Sequence, residues 1–61
     1  MNDRNEMTEF DVDLITETNK AWLLEFDDGE EHWVPKSVGV YDEDADTVEL
    51  PQWFINDREI G

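Results

Sequence analysis

Few groups in this chain could do chemistry. It carries eighteen Asp and Glu, one His and no Cys. The missing Cys excludes a thiolate nucleophile and a thiolate metal site. One His is too few for the usual zinc sets. General acid–base work needs carboxyl or imidazole groups with tuned pKa values in a concave site. Carboxylates are so abundant here that only one pairing stands out, Glu25 with His32. That pairing reads as a cross-strand ion pair worth ~0.2–1 kcal/mol. In "DEDAD", Asp42, Asp44 and Asp46 alternate as a calcium loop begins. The pattern then fails, because the glycine position holds Thr47 and the closing glutamate position holds Trp53. The chain is therefore read as non-enzymatic, with no catalytic residue, cofactor or metal.

Direct nucleic-acid binding is disfavoured as well. Phosphate recognition needs clustered Lys and Arg, whereas Arg4, Lys20, Lys36 and Arg58 are scattered. "HWVPKSVGVY" is the one basic and aromatic island, and its Trp33 and Lys36 offer at most a platform for a single base. The formal charge of -14 repels any polyanion.

The elements that must position these residues read as short strands. Phe10, Val12 and Leu14 alternate with Asp11 and Asp13, the period of a half-buried strand. "TETN" makes a bend, and "KAWLLEF" is a second strand. The Asp28-Gly29 pair that follows signals a hairpin. With those two residues at the centre of the turn, Leu24 faces Trp33, Leu23 faces Val34, Glu25 faces His32 and Trp22 faces Pro35. Trp22, Leu24, Phe26, Trp33 and Pro35 then form the core face. Pro35 ends its strand, since it has no N–H for a ladder. "VGVY" starts another strand, "DEDAD" is a solvated loop and "TVEL" is the last strand, with Val48 and Leu50 on one side. Pro51 suits the first turn of a short helix that docks Trp53 and Phe54 on the body. The expected fold is mostly β: a small SH3-like or partly open barrel of four to five short strands with a short C-terminal helical turn. Residues 1–8 are expected to be a flexible N-terminus, and residues 9–61 a single small β domain. No run of ~18 apolar residues is present to span a membrane, and no secretory signal pattern opens the chain. A cytoplasmic location is expected.

Lys20, Ala21, Leu23 and Leu24, then Trp33, Pro35, Lys36 and Ser37, then Pro51 and Trp53 make a pattern: K-A-x-L-L, W-x-P-K-S, P-x-W. The pattern resembles one in small, mostly uncharacterised proteins of phages and mobile elements. It covers about two thirds of the chain, residues 20–60. The resemblance implies a small accessory protein encoded with replication or recombination functions, located in the host cytoplasm. It implies no activity. The acidic ending "FINDREIG" and the charged "DEDAD" depart from that pattern, where lysines are common.

Charge is the main guide to function. A 61-residue domain has an expected radius of gyration of about 10–11 Å. Duplex DNA of the matching length, ~27 Å, carries roughly 16 phosphate charges, of the same order as the charge here. The leading expectation is an acidic protein that engages a basic partner as a DNA mimic, inhibiting a nucleic-acid-binding protein. The surface assigned to this is the two acidic loops: Asp27, Asp28, Glu30 and Glu31, then Asp42, Glu43, Asp44 and Asp46. Trp33, Lys36 and Trp53 are a secondary, aromatic and basic candidate set. The alternative is a salt-adapted structural module, with Leu23 and Val34 on a homo-oligomer surface. A single-stranded nucleic-acid accessory role ranks third.

Overall fold

The computed structural model describes residues 6–60. Five strands form one antiparallel sheet: β1 (Met7–Glu17), β2 (Ala21–Phe26), β3 (Glu31–Pro35), β4 (Val40–Asp42) and β5 (Thr47–Pro51). A short helix, α1 (Gln52–Arg58), follows directly. The spatial order is β3-β2-β1-β5-β4. The expected mostly-β, partly open barrel is observed. Residues 1–5, expected to be flexible, lie outside the described residues. Met7 and Thr8 belong to β1 and pair with Pro51 and Leu50, so strand pairing begins before residue 9. Strand β4 starts at Val40, after a turn through Lys36, Ser37 and Val38, and not at Val38 as expected.

Strand β1 is long because it serves two partners. Its first half, Met7–Asp11, pairs with β5. Its second half, Val12–Glu17, pairs with β2, with Ile15 as an extra, bulged residue between Leu14 and Thr16. Bulges bend a strand and add twist, and this sheet curls until its ends approach each other. Trp22 of β2 and Tyr41 of β4 come to 5.6 Å between rings. A Cβ on Gly39 would lie 2.8 Å from Val34 Cγ1 and 2.9 Å from Leu50 Cδ2. Only glycine leaves room there for β3 and β5 to meet across the barrel. Strands β3 and β4 are not hydrogen-bonded neighbours, so the barrel stays open along that seam.

The β2–β3 register differs from the expected one by a single residue. Leu24 faces His32, Leu23 faces Trp33, Trp22 faces Val34 and Glu25 faces Glu31. The turn takes up the difference. A two-residue loop of the favoured type needs positive φ at both central residues. Among the described residues Gly29 is left-handed, at φ 84, and Asp28 is not. The chain uses a three-residue loop, Asp27–Gly29. It is closed by the Gly29 N–H to Phe26 O (2.9 Å) and the Phe26 N–H to Glu30 O (2.9 Å). Asp28 Oδ1 accepts the Glu30 N–H at 2.9 Å. One step of slip exchanges the faces of β3. Val34 becomes fully buried, and Trp33 turns outward with 46% of its surface exposed.

The core is Val12, Leu24, Phe26, Val34, Val48, Leu50, Phe54, Ile55 and Ile60. Val48 and Leu50 share a face as expected. Helix α1 contributes Phe54, which is buried, but leaves Trp53 54% exposed, contrary to the expectation that both dock. Pro51 lies just before the helix as its extended N-cap and not within the first turn. Glu59, at φ 55, ends the helix in the left-handed conformation, and the Ile60 N–H reaches back to Ile55 O at 3.0 Å. That reversal returns an apolar side chain to the core, a common helix ending.

The register makes a ranking testable by urea unfolding. Val34→Ser leaves a cavity and an unpartnered hydroxyl in the interior and is expected to cost about 3 kcal/mol. Trp33→Ser removes a far larger side chain and is expected to cost about 1 kcal/mol, because it sits on the outer face. The reverse ranking would contradict the register.

Candidate functional site

The two acidic loops come together because of where β1 is gripped. Val12 pairs with Phe26, the last residue of β2, and Asp11 pairs with Thr47, the first residue of β5. The β2–β3 loop therefore leaves the sheet on one side of the middle of β1, and the β4–β5 loop enters it on the other. The Val12 N–H donates to Asp46 O at 2.9 Å and ties the second loop to this point. Between the loops lies an open groove of about 480 Å³. Asp11, Asp13, Glu25, Asp27 and Asp46 supply its carboxylates.

Of the eight loop residues expected to bind a partner, Asp27 and Asp46 line the groove. The others shape or flank it. Asp42 Oδ1 accepts the Asp44 and Ala45 N–H groups, at 3.0 and 3.3 Å, and so sets the second loop. Asp46 is left-handed at φ 55, which Asp tolerates better than most residues. Glu31 stands opposite Glu25. Asp28, Glu30, Glu43 and Asp44 are exposed.

Three further groove carboxylates escaped the reading of the sequence. Asp11, Asp13 and Glu25 are strand residues whose side chains face solvent because Val12 and Phe26 face the core. Asp13 pairs with Glu25, and Glu25 pairs with Glu31. An acidic row thus crosses β1, β2 and β3 on the outer face. Glu9 opposite Glu49 adds another like-charge pair. The alternation of Asp11 and Asp13 with apolar residues was the signal for this row. Its continuation into β2 and β3 depended on a register that the sequence did not show.

The expected pairing of Glu25 with His32 does not form. His32 shares the inner face with Leu24 and meets the Phe26 ring at 5.3 Å, edge to face. Trp33, Lys36 and Trp53 do not make a common surface. Lys36 binds Glu17 at 2.7 Å and lies 5.6 Å from the Trp22 ring, at the seam where Trp22 meets Tyr41. Trp33 stands on the outer face beside Leu23. Trp53 packs edge-on against Phe54 at 5.7 Å. The Leu23–Val34 oligomer surface is not formed either, since Val34 is interior. Among the described residues, no group of three His, Cys, Asp or Glu side chains is placed to hold a metal ion. No described helix is long and apolar enough to cross a membrane.

No protein-family model, curated protein or solved structure matches this chain.

Tyr41 reports on the field of the acidic surface. Burial pushes its hydroxyl above the ordinary value of 10.0, and Asp46, Glu43, Asp13 and Asp42 push it further. The unfolded chain ionises first as pH rises past 10, so the stability linked to the neutral phenol is present below that pH and lost above it. Tyr41 is the single tyrosine, so tyrosinate absorbance reads it alone. Its midpoint is expected above pH 10 and is expected to move down in molar salt without losing the contribution of burial. A midpoint at or below 10 would contradict this placement.

Proposed function

We propose that the chain is a non-enzymatic binding protein that presents carboxylates to a basic partner in place of nucleic-acid phosphates. What carries the reading is the groove, in which both acidic loops and the outward carboxylates of β1 and β2 meet on one side of the barrel. Charges scattered only for solubility have no need to converge. Like charges directly opposite one another across strands are destabilising, yet this surface stacks Asp13, Glu25 and Glu31 in register. A cationic partner relieves that repulsion on binding. The molecule measures 35 × 24 × 21 Å with a radius of gyration of 11.0 Å. That is a scale on which a short stretch of duplex DNA bears a comparable charge. Such a module speeds encounter by long-range attraction and loses affinity as salt screens it. A role beside replication or recombination factors, as the phage-like motif suggests, belongs to the same proposal.

The test is binding to a panel of basic DNA-binding domains at about 0.1 M salt, with duplex DNA as competitor. The chain is expected to bind at least one of them and to be displaced by DNA. The triple substitution Asp11→Asn, Asp13→Asn, Glu25→Gln is expected to weaken that binding about tenfold or more while leaving the fold at least as stable. A folded chain at low salt that binds no member of the panel contradicts the proposal. Folding only in molar salt contradicts it too and favours salt adaptation.

A further inference from the structure

A small slot adjoins the acidic groove. It holds about 200 Å³ and is lined by Phe10, Asp11, Phe26, Asp27, Asp28 and Ile60. Its walls are apolar. Phe10 and Phe26 meet edge to face at 5.6 Å, and Ile60 is brought beside them by the reversal that ends α1. Three acidic residues, Asp11, Asp27 and Asp28, border it.

Size and chemistry together narrow the occupant. Sites that enclose small-molecule ligands are usually ~300–1,000 Å³, so this slot suits one side chain better than a metabolite. Apolar walls give a bare cation nothing to replace its water. An acidic border turns away an anion, and a purely apolar group leaves its charge uncompensated, since the Glu30 N–H on Asp28 Oδ1 is a neutral donor. A side chain with an apolar stem and a cationic head satisfies both parts. Arginine fits better than lysine, because its guanidinium is planar and weakly hydrated, stacks on aromatic rings and forks to carboxylates. A second copy of this chain is a poor source, since each copy carries a charge of -14.

We propose that the slot formed by Phe10, Phe26 and Ile60 receives an arginine side chain of the basic partner, with its guanidinium held among Asp11, Asp27 and Asp28. This rests on the acidic-surface reading above and adds a shape requirement to it: the partner is recognised by one inserted stem as well as by charge.

The experiment uses the full chain, isotope-labelled for NMR, and two synthetic peptides of equal charge. One alternates glycine with arginine. The other replaces arginine with an analogue whose guanidinium follows a single methylene. At about 0.1 M salt, the arginine peptide is expected to bind roughly tenfold more tightly, about what two buried methylenes contribute. It should also shift the Ile60 methyl and Phe10 ring signals. Ile60→Ala is expected to weaken the arginine peptide roughly fourfold and to leave the short analogue unchanged. The shift map on the unsubstituted chain stands whether or not that variant folds. Equal affinity for both peptides, with Ile60 and Phe10 signals unmoved, overturns the slot and leaves the acidic-surface reading in place. No binding of either peptide overturns both.

Discussion

Strand β1 has to pair with two different neighbours, and the rest of the molecule follows from how it does so. One flat strand cannot join β5 along its first half and β2 along its second without turning the sheet. The turn comes between Asp11 and Val12, where the partner changes, and the Ile15 bulge adds twist further along. The result is a partly open barrel whose sides meet by packing, with Val34 and Leu50 meeting at Gly39 and Trp22 meeting Tyr41. Both acidic hairpin loops are anchored to the same few residues of β1. The junction that shapes the core therefore also gathers the charge.

Electrostatics works against this fold. Carboxylates oppose carboxylates across three strands, while the ion pair between Lys36 and Glu17 is partly exposed and compensates little. A chain of this size holds only ~3–5 kcal/mol in reserve. The apolar interior, sealed by Phe54, Ile55 and Ile60 from the helix end, has to offset the repulsion unaided when no cation is present. A partner that neutralises the groove would stabilise the protein and be bound by it at once.

Much of the fold was legible in the sequence because period-two alternation is a local signal. Phe10 and Val12 in β1, and Val48 and Leu50 in β5, face inward as their spacing indicates. The loop between β2 and β3 was not legible in the same way. Asp28-Gly29 is compatible with a two-residue or a three-residue turn, and the choice depends on which side chain fits the interior. Val34 fits beneath Gly39, where a tryptophan would collide, so packing across the barrel selects the longer loop. Trp53 misled for a related reason: in a helix of seven residues only one stripe can face the core, and Phe54 and Ile55 occupy it. The loop carboxylates were visible as clusters. Their union with Asp11, Asp13 and Glu25 was not, because it arises from pairings between residues distant in sequence.

The hydrogen bond from the Val12 N–H to Asp46 O is the most direct probe of this account, since it ties the second acidic loop to the junction in β1. Scalar coupling across that bond, read together with amide exchange, measures it in solution. A detectable coupling is expected, with exchange at Val12 as slow as at Leu24 and Val48. A Val12 amide that exchanges freely and shows no coupling to Asp46 would mean that the loops are not gathered at β1. The shared acidic face would then not exist.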